Sequence, residues 1–261
     1  MTGCQKLTAA IKDSGTCLCV GIDPHVEYVG SINGATLLEW GKVIIEISSD
    51  FCAAFKFNSA FFEQFGSEGM EVLAELIATV PARRFTILDA KRGDIGTTAH
   101  AYAQAAYTYF KADAVTVNPY MGMDAIEPFA VYSEKLAFVL ALTSNEGARD
   151  FQLVESEGIP LYERVIRACQ HMPWSTNVGF VVGATYPDRL KAIRGLVGPE
   201  VPLLIPGIGA QGGSIGDVLE ANAEGVAVVN VSRALLASYR DHGVTGLQQA
   251  LERYHQQLAV R

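Results

Sequence analysis

The chain has 261 residues, 49% apolar and 18% charged, enough for one sizeable core and too apolar for a disordered polymer. A formal charge of -8 without any basic tract argues against nucleic acid or an anionic membrane as partner. No window approaches the ~20 apolar residues of a membrane span, and the opening MTGCQKLTAAIKDSG lacks a signal-peptide core. Cys4, Cys17, Cys19, Cys52 and Cys169 show no metal-ligand pattern, so reduced structural thiols in a cytoplasmic protein are expected.

Short apolar runs alternate with helical patterns along the chain. Cys17–Asp23 (CLCVGID) reads as the first strand, followed by a helix over Thr36–Ser48. The second strand is Ala54–Asn58 with a helix over Met70–Val80, and the third is Phe85–Lys91 with a helix over Thr98–Phe110. Ala114–Asn118 precedes a helix at Met123–Val131, and Leu136–Leu142 precedes one at Leu161–Gln170. Val178–Val182, Leu203–Ile205 and Ala227–Val231 complete the strands. Helices follow them at Arg189–Val197, Ile215–Ala221 and Leu235–Tyr239, with a closing helix over Leu247–Leu258. The strands are almost continuously apolar, as strands buried on both faces are. Eight strand–helix repeats without a linker predict one (β/α)8 TIM barrel of α/β class over residues 1–261, with an N-terminal lead-in.

In such a barrel, chemistry sits at the C-terminal ends of the strands. The polar residues there are Asp23, Lys56 with Asn58, Asp89 with Lys91, Asn118, and Thr143 with Ser144. In ILDAKRGDIGTTAHAY, Asp89 and Lys91 are two apart and share a face if the strand stays extended. Arg92 then points away, Asp94 follows beyond Gly93, Thr97 or Thr98 caps the next helix, and Lys56 can reach Asp89 from the neighbouring strand. A lysine between carboxylates stays protonated, which suits it to stabilise a carbanion and then donate a proton. The alternative is an ion-pair network that only closes the barrel top.

Pro206-Gly207-Ile208-Gly209-Ala210-Gln211-Gly212-Gly213-Ser214 follows the seventh strand and leads into a helix. Asn230-Val231-Ser232-Arg233 follows the eighth. Glycines that free backbone N–H groups, a helix N-terminus and a guanidinium together make a phosphate site where this fold usually carries one. Neither a Walker motif nor a first-strand GxGxxG is present.

Asp89-Ala90-Lys91-Arg92-Gly93-Asp94-Ile95-Gly96 resembles the D-x-K-x-x-D signature of the orotidine 5'-monophosphate decarboxylase family, in its longer bacterial-type branch. Gly21-Ile22-Asp23-Pro24, Phe55-Lys56-Phe57-Asn58, Asn118-Pro119-Tyr120-Met121-Gly122 and the Pro206–Gly213 segment extend the resemblance over nearly the whole chain. One departure is Phe57, where proline is the more usual residue. The resemblance implies conversion of orotidine 5'-monophosphate to uridine 5'-monophosphate and carbon dioxide, without metal or organic cofactor. It implies that Lys91 protonates C6, with Asp89 beside the departing carboxylate and Lys56 in the charged array. It further implies that Asp23 and Lys56 meet the ribose, Ser144 the pyrimidine, and Gln211 and Arg233 the phosphate. The implied assembly is a homodimer in which Asp94, Ile95 and Thr98 enter the partner's site.

The remaining histidines and tryptophans read as less informative. His100 suits a structural or interface role, His25 is a loop residue, His171, His242 and His255 are surface residues, and Trp40 and Trp174 are packing anchors. Two rivals remain open to the sequence. One is a related D-x-K-x-x-D sugar-phosphate lyase or synthase, such as magnesium-dependent hexulose-6-phosphate synthase. The other is a non-catalytic nucleotide-binding barrel.

Overall fold

A computed structural model describes residues 1–30, 33–208 and 212–260. Eight parallel strands close into a barrel: β1 (Leu18–Ile22), β2 (Ala54–Asn58), β3 (Phe85–Arg92), β4 (Ala114–Val117), β5 (Leu136–Leu142), β6 (Val178–Val182), β7 (Leu203–Ile205) and β8 (Ala227–Val231). Each strand pairs with its sequence neighbour and β8 returns to β1, as the alternation predicts. A two-residue ribbon, Glu155–Ser156 against Ile159–Pro160, lies outside the barrel.

The strands are buried on both faces because two separate cores need them. The outer core packs strands against helices. There Phe57, the unusual residue after Lys56, is fully buried and stands opposite Leu88 of β3. The inner core fills the barrel with Cys19, Ala54, Phe85, Ile87, Ala114, Leu136, Phe138, Val181, Leu204 and Val228. Space inside is tight: a Cβ on Gly179 would lie 2.8 Å from the Phe138 ring and 2.5 Å from the Pro202 carbonyl oxygen.

The N-terminal lead-in is itself a helix, Gly3–Ser14, started by a capping box between Thr2 and Gln5 and ended by Gly15 at φ +70°. Leu7, Ala10 and Ile11, at helical spacing, join the inner core and cover the base of the barrel. Lys6 Nζ lies 2.5 Å from Asp113 Oδ1, while Asp113 Oδ2 accepts from both the N–H and the hydroxyl of Thr86.

Elsewhere the helices differ locally from the expectation. The predicted helix at Thr98–Phe110 begins at Gly96, and after Gln104 it widens into a π turn over Ala105–Tyr109. Over Met123–Val131 the backbone forms a 3-10 turn, Met123–Ala125, then a short helix, Glu127–Ala130. Pro128 lies in the first turn of that helix, where a missing N–H costs least. The last helical stretch, Arg233–Gln257, breaks at Gly243 (φ +61°), in keeping with the two helices read from the sequence. Trp40 and Trp174 are buried packing residues. No described helix is long and apolar enough to cross a membrane.

Candidate active site

The C-terminal ends of the strands open into a cleft with two halves that share Pro206 and Asn230. The deeper half, about 410 Å3, is lined by Lys56, Asp89, Lys91, Thr116, Thr143, Ser144 and Gln152, among others. The second half, about 430 Å3, is lined by Asp23, His25, Asn58, Phe61, Gly207, Ile208, Ser232 and Arg233. Thus Asp23, Lys56, Asp89, Lys91, Ser144 and Arg233 come together as the sequence predicts.

Asp89 is the hub of the deeper half. Its Oδ2 accepts from Lys56 Nζ at 3.0 Å, and its Oδ1 accepts from Lys91 Nζ at 2.7 Å and from Thr116 Oγ1 at 2.8 Å. Lys56 Nζ also lies 3.9 Å from Asp23 Oδ1. Burial opposes charge on Asp89, but Lys56 and Lys91 outweigh it and hold the carboxyl well below its usual range. Burial likewise opposes charge on Lys56, yet Asp23 and Asp89 prevail and raise its pKa. Both groups are therefore ionised inside the barrel mouth. Lys91 differs in position: its side chain is 48% exposed against 5% for Lys56.

The meeting of Asp89 with Lys91 does not come from strand alternation. Leu88 pairs with Val115 and Arg92 with Val117, so four steps along β3 match two along β4. The surplus forms a bulge, in which Lys91 takes a left-handed φ of +47°. Such a backbone costs a non-glycine residue ~1–3 kcal/mol and persists only when its surroundings fix it. The Lys91 N–H is held by Thr116 Oγ1 at 2.9 Å. The extended-strand expectation is corrected accordingly. Arg92 does point away, pairing with Glu63 and lying 5.0 Å over the Tyr102 ring.

The capping expectation is also corrected. The helix after the cluster starts at Gly96 with Ile95 as its N-cap residue, and no side chain caps it. The Asp94 carboxylate accepts from the Ile95 N–H at 2.8 Å. Asp94, Ile95 and Thr98 line neither half of this chain's cleft. Ile95 and Thr98 are exposed and Asp94 is part-exposed.

In the second half, Gly207 adopts φ +106°, a turn open to glycine, where the chain leaves β7. Arg233 opens the last helix, whose N-cap residue Ser232 makes no side-chain cap, so its Oγ can accept from Asn230 Nδ2 at 3.2 Å. A Cβ on Gly21 would lie 1.7 Å from Ser232 Oγ, so glycine at this point of β1 lets the β8 turn close over it. These donors beside a helix N-terminus suit an anion. Gln211, predicted to share that role, lies outside the described residues.

Sequence reasoning passed over several lining residues. Thr116 reads as an ordinary β-former within a valine-rich strand. Asn230, 9% exposed with its Oδ1 buried and unpartnered, was read only as part of a helix-opening turn. Its signal was a polar residue in a strand otherwise built of valine and alanine. His25, read as a loop residue, also reaches the cleft wall, 3.4 Å from Glu27.

A closed parallel barrel whose mouth joins a Lys–Asp–Lys array to an anion-holding end defines a barrel enzyme for a small anionic substrate. The sequence profile of the Orotidine 5'-phosphate decarboxylase / HUMPS family matches residues 16–245, and the chain belongs to that family. It is 42% identical over 238 residues to an orotidine 5'-phosphate decarboxylase of Herpetosiphon aurantiacus, covering 89% of this chain and 88% of that protein. The solved OMP decarboxylase of Leishmania donovani matches with a TM-score of 0.86 and 37% identity over 100% of both chains. The UMP synthase of the same organism matches with a TM-score of 0.87 and 40% identity, over 97% of this chain and 55% of that one. The reaction is the decarboxylation of orotidine 5'-monophosphate to uridine 5'-monophosphate and carbon dioxide, a step of pyrimidine biosynthesis.

Proposed function

We propose that Lys91 is the proton donor of this decarboxylation and that the working enzyme is a homodimer with shared active sites. The observation that carries the first part is the contrast between the two lysines on Asp89. Lys56 is enclosed and serves as an internal counterion, whereas the Lys91 ammonium emerges into the cleft.

Breaking the bond from C6 to the carboxylate leaves an electron pair in the plane of the pyrimidine ring, where the carbonyls cannot delocalise it. A fixed ammonium beside that carbon stabilises the developing charge, and each ~1.4 kcal/mol of such stabilisation gives a factor of ten. Lys91 then passes one proton to C6, forming the C–H bond of uridine 5'-monophosphate, and regains a proton from water. Asp89 holds Lys91 in place and sets negative charge beside the departing carboxylate. Asp23 and Lys56 take the ribose hydroxyls, Ser144 the pyrimidine, and Arg233 with Gln211 the phosphate. Binding the distant phosphate lets remote interactions contribute at C6.

Asp94, Ile95 and Thr98 complete the cleft of the partner subunit. Support comes from their outward placement and from exposed apolar groups in the same segment and the next strand-end loop, Ile95, Tyr102, Tyr120 and Met121, which favour burial in an interface. The reading includes a cytoplasmic location, in keeping with five free thiols. It includes no nucleic-acid partner, in keeping with the net charge of -8.

The test mixes metal-chelated protein with orotidine 5'-monophosphate and follows loss of substrate absorbance. Wild type consumes the substrate and Lys91→Ala does not; turnover retained by Lys91→Ala ends the donor assignment. For the shared site, Lys91→Ala and Asp94→Ala proteins are mixed and allowed to exchange subunits. Random exchange gives about a quarter of the sites both native groups and restores activity in proportion. Two inactive proteins that stay inactive after demonstrated exchange exclude sharing.

A further inference from the structure

Thr116 ties the two ends of Lys91 together. It lies on β4 at the floor of the deeper half of the cleft and is 1% exposed. Its Oγ1 accepts from the Lys91 backbone N–H at 2.9 Å and stands 2.8 Å from Asp89 Oδ1. The hydroxyl has a single proton, and an ionised carboxylate can only accept, so that proton is directed at Asp89. Asp89 Oδ1 in turn accepts from Lys91 Nζ at 2.7 Å. A closed circuit therefore runs from the Lys91 N–H through Thr116 and Asp89 back to the Lys91 ammonium. It spans the bulge that gives Lys91 its left-handed backbone. Valine would fill the same volume in this valine-rich strand, and only the hydroxyl makes the circuit.

Resting on the assignment of Lys91 as proton donor, we infer that Thr116 is a positioning residue for this reaction. Its hydroxyl fixes the backbone of the donor and the rotation of the carboxylate that aims it. Without the hydroxyl, Lys91 and Asp89 still pair, but the Lys91 N–H loses its acceptor and Asp89 loses one of its three donors, so the ammonium is held less closely at one point. Transition-state stabilisation of this kind falls steeply when a donor is displaced by about 1 Å. Arg233 lines the other half of the cleft, which Thr116 does not reach, so the phosphate contribution to affinity is spared.

The experiment compares Thr116→Val, which keeps the shape and removes the circuit, with Thr116→Ser, which keeps the circuit and removes a methyl. Thr116→Val is expected to lower kcat about 10- to 100-fold, the effect of losing a hydrogen bond to a charged group. KM should stay within about threefold, with kcat referred to the folded fraction measured by circular dichroism, because unfolding alone lowers apparent kcat without moving KM. Thr116→Ser should recover kcat to within about threefold of wild type. If Thr116→Val folds poorly, Thr116→Ala is compared with Thr116→Ser in the same way. Full kcat without the hydroxyl overturns the inference, as does equal loss in the serine variant or a loss confined to KM. Lys91→Ala is measured alongside. If it is inactive while Thr116→Val is unimpaired, only the role of Thr116 falls. If it retains turnover, both assignments fall, because Thr116 then has no donor to position.

Discussion

Lys56 and Lys91 hold different oxygens of the same carboxylate, that of Asp89, at 3.0 and 2.7 Å. One lysine is enclosed by the barrel and the other is half-exposed in the cleft, so a single acid joins a buried charge to an accessible one. On the proposed reading, Asp89 serves both the fold of the barrel mouth and turnover.

Asp89→Asn should show both losses at once. Lys56 would be left with Asp23 at 3.9 Å as its remaining carboxylate partner. Removing one member of a buried pair costs ~3–5 kcal/mol, to be read as a lower urea midpoint in equilibrium unfolding. Turnover should fall on the order of 10²- to 10³-fold or more, since Lys91 loses the group that orients it.

The pH dependence of that stability difference has a defined sign. The folded pKa of Asp89 lies below the ordinary 3.8, so its contribution is complete above 3.8 and is lost as pH falls through the folded value. The folded pKa of Lys56 lies above the ordinary 10.5, so its contribution is complete below 10.5 and is lost as pH rises through the folded value. Unfolding free energies of wild type and Asp89→Asn should therefore differ by a constant amount from about pH 5 to pH 9, and the gap should narrow outside 3.8 to 10.5. A gap that closes near neutral pH would contradict the ionised array.

Arg233→Ala should separate binding from chemistry. Arg233 lies in the other half of the cleft, away from Asp89 and Lys91. Loss of a charge-assisted phosphate contact should raise KM for orotidine 5'-monophosphate about 10- to 100-fold. The change in kcat should be smaller, as steady-state kinetics on the purified variant would show.

Arg194 offers the opposite case, a buried charge with a structural task. Its guanidinium donates to Asn222 Oδ1 and to the carbonyls of Gly198, Val201 and Val226, and burial lowers its pKa to about 10. Arg194→Met leaves several acceptors unsatisfied and should lower unfolding free energy by ~3 kcal/mol or more, measured by urea titration. At a temperature where the variant stays folded, kcat and KM should match wild type.

The strands were legible because burial on both faces leaves runs that polar or turn residues bound sharply, as at Ala54–Asn58 and Leu136–Leu142. The pairing of Lys56 with Asp89 followed from adjacent strand ends. The Gly3–Ser14 helix was missed although Thr2 and Gln5 stand at capping-box spacing, because its buried face is only Leu7, Ala10 and Ile11 beside Gly3. The bulge at Lys91 was not legible, since φ +47° on a lysine depends on a threonine 25 positions away in the chain. The outward placement of Asp94, Ile95 and Thr98 followed from family likeness and has no signature in spacing.

The helix under the barrel has a consequence for traffic. With Leu7, Ala10 and Ile11 seated below Phe85, Ile87, Leu136 and Phe138, the barrel is stoppered, a vessel with one neck. Those side chains are at most 8% exposed, so a dry packed layer separates the base from the cleft at the other end. With decarboxylation at Lys91 as proposed, the cleft mouth is the wet route open to both products, and the order in which they clear it belongs to the catalytic cycle.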